Sequence, residues 1–279
     1  KKMPAPTQVY ASDRTGRIWI FDPVTMDNPS WAPPSGLQYS TGPALFGMAY
    51  NSVTERLYLA GVPDGVGLDA PTTVTGNTLV ELGLDPKLPS GFNLNVKSTI
   101  AMPAGAFQPN TISVGSGNRL FIGDPLRFMT AWGTSPSLAQ LAGSPYLTSG
   151  GLAKAQGVAF DSGNNRLYLG CQDSSGQDKL AVYDAAVGPP MTQIANSPFS
   201  APLGLNSSNT SIAVDVANNR IFVTSSAGLV VLNRASATFA PIAGSPFATN
   251  PSGQADPRSV VYNATAGRVY VANFATDSL

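Results

Sequence analysis

Gly157-Val-Ala-Phe-Asp-Ser-Gly-Asn-Asn-Arg-Leu-Tyr-Leu-Gly170 sets two short apolar runs on either side of a polar turn. The second run alternates aliphatic and aromatic residues with the period of two that a strand imposes. It is one of six copies of a single phrase: Arg17-Ile-Trp-Ile, Arg56-Leu-Tyr-Leu, Arg119-Leu-Phe-Ile, Arg166-Leu-Tyr-Leu, Arg220-Ile-Phe-Val and Arg268-Val-Tyr-Val. The arginines follow one another at 39, 63, 47, 54 and 48 positions. A supersecondary unit that returns every ~40–50 residues marks a repeat array or a ring of small sheets.

Around the quoted stretch the chain predicts four strands: a over 157–161, b over 166–170, c over 179–184 and d over 191–195, with 171–178 a polar loop. Strand a returns as Gly47-Met-Ala-Tyr50, Thr111-Ile-Ser-Val114, Ser211-Ile-Ala-Val-Asp215 and Ser259-Val-Val-Tyr262. Strand c returns as Asn77-Thr-Leu-Val-Glu-Leu82 and Gly228-Leu-Val-Val-Leu-Asn233. A second phrase ends the unit: Gly143-Ser-Pro-Tyr146, Asn196-Ser-Pro-Phe199 and Gly244-Ser-Pro-Phe247. From its proline to the next strand a is 13, 14 and 14 residues, so the two phrases keep constant phase. A four-stranded meander cannot bury both faces alone. Copies packed face to face around an axis can, and closing the ring protects the edges.

The expected fold is therefore all-β, a β-propeller of four-stranded antiparallel blades forming one domain over residues 1–279. Six blades are expected, at 8–46, 47–110, 111–156, 157–210, 211–258 and 259–279, with five or seven as alternatives. Val9-Tyr-Ala-Ser12 and Arg17-Ile-Trp-Ile-Phe-Asp22 read as strands b and c, or as a and b. The final segment stops where strand c should begin, so the N-terminus or another chain is expected to complete that blade. The one faint helical signal, Leu138-Ala-Gln-Leu-Ala142, is too short to count.

Composition narrows the chemistry. Charged residues make up 11% of the chain, against a usual quarter, and sixteen bases balance sixteen acids. No global field favours nucleic acid or an anionic membrane. The surface must be covered by uncharged polar residues, which suits an extracellular, cell-surface or periplasmic protein. No apolar run approaches the ~18 residues of a membrane-spanning helix. The opening Lys1-Lys-Met-Pro-Ala-Pro6 has no h-region, so any signal peptide is expected to have been removed. Histidine is absent, which excludes a Ser-His-Asp triad, a Cys-His pair and any His-ligated metal. Cys171 is the only cysteine, so neither an intrachain disulfide nor an ordinary zinc, haem or copper site is available within the chain. Sequons at Asn206, Asn209 and Asn263 read as chance in a Ser/Thr-rich sequence.

Arg268-Val-Tyr-Val-Ala-Asn273, the stretch from Val158 to Leu169, and Gly244-Ser-Pro-Phe247 with Asp256-Pro-Arg-Ser-Val-Val261 resemble bacterial surface β-propellers of the Tyr-Val-Thr-Asn-repeat, lactonase-like family. The resemblance runs from about Gln8 to Asn273. It implies a propeller, and it admits 6-phosphogluconolactonase-like enzymes as well as surface and complex-associated proteins.

Candidate chemistry lies on the rim that the b–c and d–a loops share. The fifth residue after each repeat arginine marks that rim: Asp22, Gly61, Asp124, Cys171, Ser225 and Asn273. The longest b–c loop, residues 61–76, carries Asp64 and Asp69. Asp124 and Arg127 put a carboxylate and a guanidinium on the same rim, the pair an anionic sugar lactone would need. Asp173-Ser-Ser-Gly-Gln-Asp178 has oxygen groups around a glycine and is a weak candidate for Ca²⁺; a plain hairpin turn is the better reading. The six arginines are read as structural, bonding turn carbonyls or a neighbouring blade. No catalytic or metal constellation emerges. The expected role is a secreted, non-enzymatic module that binds a protein partner or self-associates through blade edges. The alternative is a lactonase-like hydrolase drawing on Asp64, Asp69, Asp124, Arg127 and Asp173, with Asn273 a further rim candidate.

Overall fold

The computed structural model describes residues 9–12, 17–21, 37–38, 47–54, 56–60, 78–85, 93–101, 111–124, 128–134, 137–144, 146–147, 152–186, 191–200, 203–204, 210–250 and 256–273. Every regular element among them is a strand, and the strands form six antiparallel sheets. The first sheet holds β1 (Val9–Ser12), β2 (Arg17–Phe21) and β3 (Leu37–Gln38), with β2 central. The second is a meander of β4 (Gly47–Asn51), β5 (Arg56–Ala60), β6 (Thr78–Asp85) and β7 (Asn93–Ala101). The third holds β8 (Thr111–Gly115), β9 (Arg119–Asp124) and β10 (Phe128–Gly133), with β11 (Ala139–Gln140) and β12 (Tyr146–Leu147) both on the outer edge of β10. The fourth repeats this with β13 (Leu152–Asp161), β14 (Arg166–Asp173), β15 (Asp178–Asp184), β16 (Thr192–Gln193) and β17 (Phe199–Ser200). The fifth is β18 (Ile212–Asp215), β19 (Arg220–Ser225) and β20 (Gly228–Asn233); the sixth is β21 (Pro257–Asn263) and β22 (Arg268–Asn273).

The a–b turn is built twice over by its side chains. The residue ending strand a accepts a hydrogen bond from the amide two or three positions on: Asn51 from Val53 at 2.9 Å, Asp161 from Gly163 at 2.8 Å, Asp215 from Asn218 at 3.1 Å and Asn263 from Thr265 at 3.0 Å. This is the local bond that makes Asn and Asp turn formers. The residue just before the arginine is left-handed: Asn118, Asn165, Asn219 and Gly267 have φ of 56°, 53°, 53° and 62°. Asn and Gly tolerate that region best, and a left-handed residue after a type I turn is a common way to close a short hairpin.

The Ser-Pro phrase interrupts strand d and does not follow it. Ser144, Ser197 and Ser245 each accept, on Oγ, the amide proton of strand c at Ala131, Val182 and Val231, at 3.0, 2.9 and 2.9 Å. The hydroxyl takes the place of a ladder carbonyl while the backbone loops out through a left-handed Gly143, Asn196 or Gly244. The chain then returns to pairing, Met129 with Tyr146 and Leu180 with Phe199. Strand d, read from sequence as 191–195, is thus two short pieces. Residues 138–142 supply its counterpart β11 and form no helix. The b–c hairpin of the fourth sheet is also tighter than a 171–178 loop, because β14 continues to Asp173 and β15 begins at Asp178.

Strand b is two-faced, and this sets how the sheets stack. Tyr58 packs with Ile112, Leu120 and Ile122 of the next sheet. Phe121 packs with Val158, Leu167 and Leu169, Tyr168 with Ile212, Ile221 and Val223, and Phe222 with Val260, Val269 and Val271. In the phrases of the third, fourth and fifth sheets the aromatic residue faces forward and the two aliphatic residues face back, as period two requires. Burying such a side chain contributes about 1.5–3 kcal/mol, so every one of these clusters belongs to two sheets at once.

The inner strands are tied by hydroxyls. The β13 amides of Val158 and Phe160 donate to Thr111 Oγ1 and Ser113 Oγ of β8, at 3.0 and 2.8 Å. Thr210 Oγ1 in turn donates to Gln156 Oε1 at 3.0 Å. Side chains of one sheet thereby cap the exposed ladder edge of its neighbour.

Candidate functional site

The a–b turns of adjacent sheets face each other, and the described junctions from the third sheet to the sixth are each closed by a bridging group. Between the third and fourth sheets Arg119 donates from Nε to Ser116 O at 2.9 Å and from Nη2 to Ala185 O at 2.7 Å. Below it Phe121 stacks on Phe160, with centroids 6.2 Å apart. Between the fourth and fifth sheets Arg234 grips Asp161: Nε donates to Oδ2, Nη2 to Oδ1 at 3.1 Å, and Nη1 reaches Asn219 Oδ1 at 2.7 Å. Tyr168 donates its hydroxyl to the same carboxylate at 3.1 Å. Asp161 is fully buried, so this pairing is what lets a carboxylate sit there. Burial first, and then the Asp161 charge, pushes the Tyr168 hydroxyl up to about 12. Between the fifth and sixth sheets Tyr262 brings its ring to Phe222, centroids 5.8 Å apart, and its hydroxyl to Asp215. Burial pushes the Asp215 carboxyl up, but bonds from Asn218 and Tyr262 outweigh it and leave the group below its ordinary value.

The junction between the second and third sheets is open. A cleft of about 540 Å³ lies between residues 50–53 of the β4–β5 turn and 114–118 of the β8–β9 turn. Three positions in the repeat register explain it. Val114, opposite Leu120, stands where the next sheet has Phe160 and the sixth has Tyr262. Thr134, whose amide bonds Asn118 O, stands where the fifth sheet has Arg234, whose amide bonds Asn219 O. Arg56, the counterpart of Arg119, pairs with Glu81 of its own sheet at 3.4 Å. The polar groups that a bridge would satisfy are still present. Asn51 Oδ1 caps Val53 and Thr54, but its Nδ2 finds no partner among the described residues, and neither does Tyr58 OH. Asn51 is 2% exposed and Tyr58 0%.

Asp173 lies in the β14–β15 hairpin and locks it. Its Oδ1 accepts from Ser175 Oγ, Ser175 N and Gln177 N at 2.6, 2.9 and 2.9 Å, and its Oδ2 lies 3.4 Å from Lys179 Nζ. The Ser175 hydroxyl and the Gln177 amide hold this carboxyl at about 2. Every oxygen of the group faces a donor, so the loop is organised as a turn. Asn273 is buried in the sixth sheet, with Oδ1 accepting from Thr249 Oγ1 at 2.8 Å and Nδ2 donating to Thr249 O at 3.2 Å. Ser225 and Cys171, two other rim positions, are also buried; Ser225 donates to Gly228 O at 2.9 Å, and burial pushes the Cys171 thiol up to about 12. Asp124 ends β9 opposite Phe128, and its side chain lies outside the described residues, as do Asp64, Asp69, Arg127 and the side chain of Arg17. Arg220 and Arg268 lie exposed on the turn side, while Arg166 is half-buried. No group of three or more His, Cys, Asp or Glu among the described residues is placed to hold a metal.

The cleft was not anticipated from sequence. Its signals were Val53, an apolar residue in a turn and 80% exposed, and the coincidence in one junction of a short Val114, a short Thr134 and an Arg56 engaged within its own sheet. Val214 and Ala185 are as short in the same columns, but their junctions are bridged by Arg234 and Arg119.

No family model matches the chain, and no curated protein matches it. Solved structures do. The chain is similar to the allergen Mala s 1 of Malassezia sympodialis (TM-score 0.59, 14% identity, 96% of this chain and 84% of that one). It is similar to the periplasmic gluconolactonase of Pseudomonas aeruginosa (TM-score 0.57, 14% identity, 95% and 81%). It is also similar to a glucose dehydrogenase (TM-score 0.60, 14% identity, 98% and 91%). The chain therefore has the lactonase-like β-propeller fold. At these identities the likeness speaks for fold, and fold alone does not carry function.

Proposed function

We propose that the chain is a non-catalytic propeller of six blades that serves as an extracellular binding or assembly module. The observation that carries this reading is the engagement of three carboxylates among the described residues. Asp161 is held by Arg234 and Tyr168, Asp173 by its own hairpin, and Asp215 by its turn and Tyr262. Groups fixed in this way build the scaffold and are not poised to move protons. Six repeat phrases and six sheets among the described residues support the blade number. The scarcity of charge supports a location outside the cytoplasm. The partner is a protein or a second copy, met at the loops or at a blade edge.

A second reading draws on the likeness to a gluconolactonase. It makes the chain a hydrolase of small sugar lactones, using Asp64, Asp69, Asp124 and Arg127 on the b–c rim. Incubation with glucono-1,5-lactone and its 6-phosphate, with and without Ca²⁺, separates the two. The module reading expects no ring opening above the buffer rate and a mass by light scattering that rises in the presence of a partner or with concentration. Lactone turnover that saturates with substrate would overturn it.

A further inference from the structure

We propose that the cleft between the second and third sheets is a binding site for a neutral saccharide unit. The inference rests on reading the chain as a binding module and names a ligand class that the module reading does not contain. The cleft is a junction whose bridge is missing. Arg119, Arg234 and Tyr262 fill the equivalent space elsewhere, whereas here Arg56 is turned to Glu81 and Val114 and Thr134 are too short to reach. What remains is a volume of about 540 Å³, inside the range of ~300–1,000 Å³ that small-molecule clefts occupy.

The lining selects the ligand. No Asp, Glu, Lys or Arg is among its described lining residues, and against these an ion would lose water without gaining a counter-charge. Hydrogen-bonding groups come instead from Asn51, Ser52, Ser116 and Asn118, all uncharged. Asn51 Nδ2 is a buried donor with no partner among the described residues, and such a donor is costly until an acceptor oxygen arrives. Ser116 Oγ accepts from Arg119 Nη2 at 3.1 Å, which leaves its proton to donate. Val53, 80% exposed, and Val114 add an apolar wall on either side. Uncharged donors and acceptors beside aliphatic surface match the hydroxyls and the C–H face of a sugar ring.

The test uses the whole protein with glucose, galactose, N-acetylglucosamine and their β-1,4-linked disaccharides, read by saturation-transfer NMR and calorimetry. At least one is expected to bind with a dissociation constant between about 10 µM and 10 mM, the weak end of the affinity scale. Asn51→Asp keeps the turn cap, as Asp161 and Asp215 do in other sheets, and removes the donor; affinity should fall at least tenfold. Val53→Glu places a carboxylate on the exposed wall and should abolish binding. The melting curve of Val53→Glu should overlay the parent; Asn51→Asp buries a carboxylate without the arginine that Asp161 has and should melt lower, so its affinity is read well below its own midpoint. Three results overturn the proposal: none of the sugars binds, a sugar binds equally well to both variants, or an uncharged Ala-Ser-Gly peptide binds in place of every sugar. Lactone turnover by the same preparation would overturn the non-catalytic reading alone, since the variants judge the cleft independently.

Discussion

At the scale of single residues, the same column of the repeat carries opposite energetics in two sheets. Tyr168 and Tyr58 occupy equivalent places, but Tyr168 donates to Asp161 while the Tyr58 hydroxyl has no partner among the described residues. Tyr168→Phe should cost about 1 kcal/mol, and Tyr58→Phe should be neutral or stabilising, because it removes a buried polar group that gains nothing. Urea unfolding of the two variants checks this. Asp161→Ala leaves Arg234, whose side chain is 11% exposed, facing an empty carboxylate site and should cost about 3–5 kcal/mol. The double change Asp161→Ala with Arg234→Met should cost less than the two singles summed, by about 0.5–3 kcal/mol. Alkali offers a further check. The Tyr168 hydroxyl ionises near 10.0 when unfolded and near 12 in the native protein, so the fold favours its neutral form. Its contribution to stability is complete below pH 10 and disappears as pH rises towards 12. Unfolding midpoints should fall across that window, and less so in Tyr168→Phe. The turn residues at this scale were legible in the sequence, because Asn165 and Asn219 act through their own backbone. The Asp161–Arg234 grip was not, since its partners are 73 positions apart and meet only through the angle between two sheets.

At the scale of elements, strands b and c were readable, and strand d only in its first piece. Alternation over Arg166–Asp173 and Asp178–Asp184 leaves a period-two pattern, and Thr192–Gln193 falls inside the 191–195 expected, whereas the return to pairing at Phe199–Ser200, two residues long, leaves no pattern. The Ser-Pro phrase was found by its recurrence, but recurrence does not say that its hydroxyl substitutes for a carbonyl. Ser197→Ala and Ser245→Ala each orphan a strand c amide, at Val182 and Val231, and should cost about 0.5–1.5 kcal/mol. Hydrogen exchange at those two amides should quicken in the variants while exchange at Leu169 and Phe222, on the neighbouring strand, keeps its rate. The b–c hairpin predicts an acid response. The carboxyl of Asp173 is held at about 2, below its ordinary 3.8, so its bonds are present above that value and are lost as pH falls towards 2. Protonation loosens the hairpin around Ser175 and Gln177, which amide chemical shifts would show.

At the scale of the whole molecule, the fold was legible and the cleft was not, for one physical reason. A fold built by repetition writes itself many times, and six copies of one phrase are hard to miss. The cleft exists because Val114, Thr134 and Arg56 all fail to bridge the same junction, whereas each described junction from the third sheet to the sixth keeps one long bridging side chain, and an omission of that kind shows only when every copy is laid in register. Because each apolar cluster draws on two consecutive sheets, no described sheet from the second to the sixth can melt without stripping its neighbour. Unfolding in urea should give coincident curves by tryptophan fluorescence and circular dichroism, with separate midpoints arguing against this interlock.

The forward aromatic and the backward aliphatic pair make the contact between units heterologous, a plug on one side and a socket on the other. A unit copied by gene duplication would fit beside its parent at once, with no new complementary surface to evolve. Ring size in such a lineage is free to drift by whole units, and specialisation falls to individual seams. Dropping one bridging side chain converts a sealed seam into a crevice while the plug and socket beneath it stay engaged.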